Sequence, residues 1–185
     1  AELKVKFENY MLNEIKKSKD FTPTSLRFST VYGLSPRMRF DLTVNEFTKD
    51  LALGRELVIF GEKFWRPYCH VKDFSNAFIT VIKSPAEKVA YNVFNVGDTD
   101  ENYTKQMLID EIKKILPESK IKYIERNDDP RDYRVNSDKI KKELGFKITM
   151  RVPDGIMEVK RMIQEGVIQD PEDQKYYNIP HERQD

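Results

Sequence analysis

The segment Leu57 to Asp73, LVIFGEKFWRPYCHVKD, contains the residue best suited to bind a polyanion, Arg66. The planar guanidinium group donates several hydrogen bonds in a fixed geometry, and this geometry matches the oxygens of a phosphate group. Arg66 lies in a loop between two apolar stretches. Arg66 is therefore a candidate for binding phosphate oxygens, and the alternative is a solvated arginine that packs beside Trp65.

Other kinds of reactive site find little support in the sequence. The single cysteine, Cys69, cannot form an internal disulfide, so a secreted, disulfide-stapled protein is not indicated. The two histidines, His70 and His181, form no Cys/His cluster with metal-ligand spacing. No Ser-His-Asp arrangement is suggested, and we expect no metal site.

Composition limits the class of protein. The chain has 185 residues, of which 39% are hydrophobic, so it is long and apolar enough for a folded domain. Lys plus Arg is 32 and Asp plus Glu is 31, and this balance argues against a nucleic-acid partner. No apolar run approaches a membrane span and the start is not a signal peptide, so a soluble, cytoplasmic protein without a membrane partner is expected.

Apolar periodicity predicts alternating helices and strands around Arg66. Residues 1 to 18 are predicted to form one amphipathic helix with Leu3, Phe7, Met11 and Ile15 on one face. Strands are predicted at Thr24–Tyr32, Leu57–Phe60, Tyr68–Val71, Tyr91–Val96 and Lys120–Glu125. The pattern is that of an α/β protein.

Helix boundaries are predicted from capping residues. Further helices are expected at Arg39–Leu53, from a capping Asp73 to Lys83, from a capping Thr104 to Leu116, from a capping Ser137 to Gly145, and from Pro153 to Gly166. The charged tail from Ile168 to Asp185 is expected to lie extended on the surface or to be partly mobile.

In this order, the strand, the arginine loop and the following helix resemble the nucleotide-sugar-binding segment of the extended short-chain dehydrogenase/reductases. That family includes the NAD-dependent nucleotide-sugar epimerases and dehydratases. The resemblance covers nearly the whole chain but only the carboxy-terminal half of the family. The Gly-x-x-Gly-x-x-Gly turn that cradles the NAD pyrophosphate is not found among the seven glycines, so the chain is expected to be cut from a longer enzyme.

The resemblance implies a fold and a division into parts. The α/β fold would comprise the last strands of a Rossmann-type sheet and a small α/β substrate-binding domain. Residues 1–34 and 68–97 would belong to the Rossmann part and residues 35–67 and 98–167 to the substrate-binding domain. Residues 168–185 would form an extended tail.

The resemblance also implies a catalytic residue and cofactor contacts. The family uses a Tyr-x-x-x-Lys motif, and Lys4 would be its lysine, with the tyrosine just before Ala1. Such a lysine lowers the pKa of the tyrosine and binds the ribose of NAD. The alternative is an ordinary solvent-facing lysine. Phe28 and Val31, in the segment LRFSTVYG, would lie near the cofactor.

Substrate contacts are implied at four positions. Thr30 stands where relatives commonly have an asparagine, and Asn45 would contact the substrate. Arg66 and Arg131 would hold the diphosphate, with Arg134 as the second choice to Arg131. A local ion pair of Arg131 with Asp129 or Asp132 is the alternative.

For Arg37 and Arg39, which precede a predicted helix, phosphate contact and a surface salt bridge are equally open. The resemblance places both arginines in a loop that closes over the nucleotide diphosphate in relatives. A surface salt bridge would instead make them part of the scaffold.

Taken together, the resemblance implies the nucleotide-sugar-binding portion of an NAD-dependent nucleotide-sugar epimerase. The parent is expected to be a homodimer, and the 185-residue chain alone is expected to be inactive. The alternatives are a portion of a nucleotide-sugar 4,6-dehydratase or reductase, or a non-catalytic nucleotide-sugar-binding or assembly domain.

Overall fold

The computed structural model describes residues 2–15, 17, 20–124 and 132–180. Its α-helices are α1 Glu2–Asn9, α2 Thr43–Ala52, α3 Val71–Lys83, α4 Ala86–Val89, α5 Lys105–Ile115, α6 Asp138–Leu144 and α7 Val152–Gln164. Its strands are β1 Thr24–Phe28, β2 Thr30–Tyr32, β3 Glu56–Ile59, β4 Trp65–His70, β5 Asn92–Val96, β6 Asn102–Thr104 and β7 Lys120–Tyr123. A π-helical turn spans Tyr10–Glu14 and a 3₁₀ turn spans Gln174–Tyr176.

The described strands form three small sheets. β1 pairs in parallel with β5, and β3 pairs in parallel with β7. In the third sheet β4 is central, parallel to β2 and antiparallel to β6. The α/β class expected from the sequence is confirmed. The sheet formed by β2, β4 and β6 contains strands from both predicted parts of the chain. The division into a Rossmann part and a substrate-binding domain stays a prediction.

The predicted strand Thr24–Tyr32 is two strands, which separate at Ser29. The Ser29 amide and hydroxyl both donate to the carbonyl of Val96, at 3.4 and 2.8 Å. Beyond this point the chain leaves β5, and Thr30 pairs instead with Tyr68 of β4. The prediction of one strand was wrong because one apolar run serves two sheets in turn.

The strand that contains the predicted phosphate ligand is longer than expected. β4 begins at Trp65, so Arg66 lies within a strand and pairs with Tyr103 of β6. The prediction of a loop arginine was wrong because β6 extends the ladder to this end of β4. The backbone that carries Arg66 is therefore fixed by strand pairing.

Asp73 does not cap α3. The helix begins two residues earlier than predicted, and Nδ1 of His70 accepts the capping bond from the amide of Lys72 at 3.2 Å. Asp73 is fully buried and accepts from the amides of Thr149 and Met150 and from the Thr149 hydroxyl. Its carboxylate thus ties α3 to the chain that enters α7.

Three of the other predicted helix ends agree with the structure, at Thr104, Pro153 and Gly145. The Thr104 hydroxyl accepts from the amide of Met107 at 3.1 Å, as an N-cap should, and Pro153 lies in the first turn of α7. α6 ends at Gly145, which has the left-handed conformation of a C-terminal cap. Ser137 precedes α6 but its side chain makes no capping bond.

The amino-terminal helix is shorter than predicted and largely exposed. α1 ends at Asn9, and the π-helical turn that follows closes with a bond from the Ile15 amide to the Tyr10 carbonyl. Leu3 and Phe7, two members of the predicted apolar stripe, are 83% and 65% exposed. The amino-terminal part of the stripe is therefore largely exposed, while Met11 and Ile15 are half-buried.

Three apolar clusters form the interior of the described residues. The largest joins β2, β3 and β4 to helices α2, α5 and α7, and includes Tyr32, Val44, Ile59, Tyr68, Ile112 and Ile156. A second lies between the β1–β5 sheet and helices α3 and α6. The third packs α7 against Met38, Phe40, Ile168 and Tyr177.

Part of the carboxy-terminal segment is packed against α2. Lys49 of α2 is 2% exposed, and its ammonium contacts Glu172 at 2.8 Å and the Tyr177 hydroxyl at 2.9 Å. Asp50 lies 3.0 Å from the same ammonium, and Arg55 bonds to Glu172 at 2.6 Å. This segment is expected from its composition to be surface-extended; the ion pairs and Tyr177 instead hold it to the core.

Candidate functional site

A cleft of about 390 Å³ opens at the carboxyl end of β1, and we call it the strand-end cleft. Its lining residues come from β1, β4, β5 and the segment before α6: Arg27, Phe28, Ser29, Pro67, Asn95, Tyr133, Arg134, Val135 and Asn136. Ligands of open α/β sheets bind beyond the carboxyl ends of parallel strands. β1 and β5 are such a pair, so the cleft lies where a ligand is expected.

Arg66 lies close to the strand-end cleft through its neighbours Pro67 and Tyr133, and it is not among the residues that line the cleft. One N–H of its guanidinium donates to the carbonyl of Trp65 at 2.7 Å, and the group lies 5.5 Å from the centre of the Tyr133 ring. Pro67, the next residue, lines the cleft itself. The alternative prediction for Arg66 was a solvated side chain that packs beside the Trp65 ring. In the structure its guanidinium lies over the Tyr133 ring instead.

The segment before α6 is clamped to the start of β4. The Arg134 guanidinium lies 4.9 Å from the centre of the Trp65 ring, while the Trp65 amide donates to Asp132 at 2.8 Å. The Tyr133 amide in turn donates to the Trp65 carbonyl at 3.3 Å. These contacts fix the ring on which Arg66 rests. Arg131, the second predicted diphosphate ligand, lies outside the described residues.

Three other predicted residues lie along β1 and β2. Phe28 lines the cleft, and its ring lies 4.3 Å from that of Phe74. Thr30 and Val31 are half-buried in β2 and pair with Tyr68 and Cys69 of β4. The structure therefore brings Phe28, Thr30 and Arg66 to neighbouring strand ends.

Lys4 lies in a separate groove of about 460 Å³ between α1 and β1. This groove is mostly apolar, with Phe7 and Leu26 among its lining residues, and it shares Arg27 and Phe28 with the strand-end cleft. The two spaces therefore meet at the end of β1. Lys4 itself is exposed on α1.

An ion pair anchors α1 beside β1. The carboxylate of Glu8 accepts from both Arg27 and the Ser25 hydroxyl. The Arg27 guanidinium, which donates to Glu8, holds the pKa of that carboxyl below its ordinary value. These contacts keep the groove and Lys4 at a fixed place on the sheet.

Asn45 and the two arginines before α2 make contacts within the protein. Asn45 is 1% exposed, accepts from the Gly33 amide and donates to the Arg39 carbonyl, both at 2.9 Å. Arg39 forms a two-point salt bridge with Asp41, at 2.8 and 2.7 Å. The open choice for Arg39 is thus a salt bridge in this structure, and substrate contact by Asn45 stays a prediction.

Arg37 also donates within the protein. Its guanidinium bonds to Oδ1 of Asn178 at 2.9 Å. The carboxylate of Asp41 accepts from the backbone amide of the same Asn178. Both arginines therefore help to hold the carboxy-terminal segment in place.

A third cavity, which we call the β3 pocket, has a volume of about 180 Å³. It is lined by Thr43, Glu46 and Phe47 on the α2 side, by Leu57, Val58, Ile59 and Phe60 along β3, and by Lys105. The Lys105 ammonium donates to the Phe60 carbonyl at 2.8 Å and lies 4.1 Å from the centre of the Phe60 ring. Burial raises the pKa of the Glu46 carboxyl. Aromatic, cationic and acidic groups thus share one small space.

A comparison of the sequence with family models matches residues 1–97 to the NAD-dependent epimerase/dehydratase family. This match covers more than half of the chain. The chain belongs to that family. The resemblance stated from the sequence is thereby confirmed.

Solved structures of family-type enzymes share the fold. A UDP-glucose 4-epimerase from Thermotoga maritima is 24% identical with a TM-score of 0.68, over 90% of this chain and 51% of that one. A Helicobacter pylori ADP-L-glycero-D-manno-heptose-6-epimerase is 20% identical with a TM-score of 0.69, over 87% and 49%. A Bacillus cereus UDP-glucuronic acid 4-epimerase, in complex with UDP-glucuronic acid and NAD, is 22% identical with a TM-score of 0.64, over 76% and 44%. The chain thus spans about half the length of these enzymes.

Two of the residues predicted to contact NAD lie in the groove between α1 and β1. Lys4 and Phe28 line one groove, as a ribose contact and a wall beside the nicotinamide would require. The backbone turn that would bind the NAD pyrophosphate is not found in this sequence, because its seven glycines form no Gly-x-x-Gly-x-x-Gly cluster. Contact of Lys4 and Phe28 with the cofactor stays a prediction.

Among the described residues there is neither a membrane-spanning helix nor a group of metal-binding side chains. No helix among residues 2–15, 17, 20–124 and 132–180 has the length and apolar character needed to cross a bilayer. Within those ranges no three His, Cys, Asp or Glu side chains are grouped to hold a metal ion. Burial raises the pKa of the Cys69 thiol, which keeps it protonated and a poor nucleophile.

Sequence reasoning missed Tyr133 and Glu46, and it considered Arg134 only as a second choice to Arg131. Tyr133 and Arg134 belong to the segment DYRV, whose adjacent aromatic and cationic residues could have indicated a partner for Trp65 and Arg66. For Glu46 the sequence offers no such signal, because it is one acidic residue on an amphipathic helix.

Proposed function

We propose that this chain holds a nucleotide-sugar as part of an NAD-dependent nucleotide-sugar epimerase, and that the 185-residue chain alone does not turn it over. The observation that carries the proposal is the placement of Arg66. Strand pairing fixes its backbone and the clamped Tyr133 ring supports its guanidinium beside a cleft at the strand ends. A pre-positioned guanidinium is suited to a diphosphate.

The three parts of such a ligand correspond to three neighbouring regions. The diphosphate would lie against Arg66, the sugar would extend toward Phe28 and Thr30, and the base would enter the β3 pocket. The pocket and the diphosphate region are near each other, because the Thr43 side chain, which lines the pocket, lies beside Tyr68, two residues along β4 from Arg66. One extended ligand can therefore reach both.

The chemistry of the parent would use NAD as hydride acceptor and donor at one sugar carbon, and inversion follows when hydride returns to the opposite face. In this chain Lys4 would bind the cofactor ribose and lower the pKa of the tyrosine that takes the sugar hydroxyl proton. That tyrosine would precede Lys4 by four positions, ahead of Ala1. The glycine-rich turn that would cradle the NAD pyrophosphate is not found among the seven glycines of the sequence, and we therefore assign this chain a role in binding the nucleotide-sugar.

Calorimetric titration with nucleoside diphosphates and their sugar derivatives tests the proposal. We expect at least one of them to bind and Arg66→Ala to weaken it about tenfold to hundredfold, because a charge-assisted contact is worth about 1.5–3 kcal/mol. Arg161→Ala is the matched control, since this arginine is exposed on α7 and its guanidinium donates to Glu165. Binding should be unchanged in this control.

The same protein, given NAD and a bound nucleotide-sugar, should produce neither an epimer nor NADH. Failure of every nucleoside diphosphate to bind would overturn the holding role, as would an Arg66→Ala variant that binds like the control. Turnover by the purified chain would overturn the assignment of a holding role without catalysis.

A further inference from the structure

Glu46 is the charged residue of the β3 pocket for which the fold supplies no direct partner. Its side chain lines the pocket and is half-buried, and it forms no hydrogen bond or ion pair with the described residues. Its neighbours on α2 differ in this respect, since Asn45, Lys49 and Asp50 are all engaged within the protein. The carboxyl therefore faces a cavity without a donor bonded to it.

The surroundings make this carboxyl costly to keep ionised. Burial has the largest effect and raises its pKa, and the charge of Asp50 acts in the same direction, while Lys49 and Lys105 oppose it. A carboxyl group held away from water gains most from a ligand that supplies hydrogen-bond donors. The pocket is therefore suited to a ligand edge that carries N–H groups.

Nucleobases differ in the donors that they present. An ionised carboxylate has acceptor oxygens only, so it requires donors from the base. Guanine presents an imino N–H and an amino group side by side, which both oxygens can accept. Adenine and cytosine present one amino group beside an acceptor nitrogen, and in uracil and thymine the single imino N–H lies between two carbonyl oxygens.

We propose that Glu46 selects guanine, so that the ligand of this chain is a guanosine-diphosphate sugar. This inference rests on the proposed function, because it takes the β3 pocket as the base site. Lys105 completes the arrangement: its ammonium lies at the same pocket, 4.1 Å from the centre of the Phe60 ring, and offers a donor for the guanine carbonyl. The pocket volume of about 180 Å³ has room for one planar base.

Titration with GDP, ADP, CDP and UDP tests the inference. We expect GDP to bind about tenfold to hundredfold more tightly than UDP, the discrimination that a two-point base contact provides. Glu46→Gln replaces two acceptors with one acceptor and one donor, which matches the imino N–H and adjacent carbonyl of uracil. The preference should therefore move from GDP to UDP in this variant.

Two further variants distinguish a specific effect on the GDP preference from a general disturbance of the β3 pocket. Glu46→Asp keeps both acceptors and should retain a weaker GDP preference. Glu56→Gln, which removes an exposed carboxylate at the start of β3, should leave the preference unchanged. Circular dichroism and thermal unfolding establish that each variant is folded before its titration.

The outcomes distinguish this inference from the proposed function. Binding of nucleoside diphosphates without a GDP preference, or a preference that Glu46→Gln leaves intact, overturns the role of Glu46 and leaves the holding function standing. Loss of binding for all four diphosphates in the wild-type chain overturns the function itself, and the inference with it.

Discussion

Two carboxyl groups on amphipathic helices have opposite surroundings. Asp73 is fully buried and accepts hydrogen bonds from Thr149, Met150 and Asn76. The half-buried Glu46 side chain forms no such bond with the described residues and lines the β3 pocket. Both stand early in amphipathic helices, and only the structure separates the scaffold carboxylate from the one that is available to a ligand.

The free energy of unfolding should reveal the cost of ionising Glu46. Because its pKa is raised above the ordinary 4.5, the folded state binds this proton more tightly than the unfolded state. Stability from this group is therefore fully present below pH 4.5 and is lost as pH rises through the folded pKa. Glu46→Gln should be more stable than the wild type at neutral pH, and the difference should vanish in acid.

Urea unfolding across this pH range measures the effect, with unchanged m-values as the condition for comparison. Glu56→Gln, on an exposed carboxylate, serves as the control and should follow the wild type. A stability difference that does not depend on pH would contradict the assigned electrostatic origin.

At the scale of elements, local sequence determines some boundaries and distant pairing determines others. The Thr104 cap, Pro153 in the first turn of α7, and the strand over residues 92–96 follow from nearby residues, and all were predicted. The break at Ser29 was not predictable, because it depends on bonds to Val96 across 67 residues of sequence. The same holds for Asp73, whose partners lie 76 and 77 residues away.

The candidate site shows the same division. Arg66 and Phe28 were identified from residue type and family resemblance, and both lie at or beside the strand-end cleft. Tyr133 and Glu46 were missed, because a ring under a guanidinium and a carboxyl in a cavity arise only when separate elements pack. A site residue could be predicted where its own side chain suggests the role, as for Arg66. It could not be predicted where the role depends on contacts between separate elements, as for Tyr133 and Glu46.

Close packing of α7 on β2 depends on Gly155. A Cβ at this position would lie 2.4 Å from Cε2 of Tyr32, inside a fully buried cluster. Helix propensity alone favours Gly155→Ala by about 1 kcal/mol. Steric overlap should dominate, because overpacking a core costs about 1–3 kcal/mol or more, so the net free energy of unfolding should fall.

Chemical unfolding of Gly155→Ala measures this balance. Met157→Ala on the same helix changes a side chain that is 58% exposed and should be close to neutral. A Gly155→Ala variant as stable as the wild type would mean that α7 can move away from Tyr32 at little cost.

Seen as a whole, the molecule leaves much apolar surface uncovered. Large side chains are exposed along α1 and α3: Leu3, Val5, Phe7, Phe78, Ile79 and Ile82. β1 pairs with β5 along one edge, and no other described strand pairs with it. Soluble monomers rarely expose extended apolar patches or open strand edges without a partner.

We therefore expect this chain to self-associate through α1 and α3, and a dimer of the parent remains a prediction. In sedimentation experiments the average mass should rise with protein concentration. Leu3→Lys combined with Ile82→Lys should reduce this rise, because these side chains are 83% and 80% exposed and their replacement places charge on the patch without disturbing the core.

The control must carry the same added charge elsewhere, since net repulsion alone can oppose association. Met157→Lys combined with Ile179→Lys meets this requirement, at positions 58% and 66% exposed on α7 and in the carboxy-terminal segment. If both double variants reduce association equally, repulsion explains the result and the α1–α3 surface is not the interface. If only the first does, hydrophobic burial of that surface drives assembly, because the two variants differ in place and not in charge.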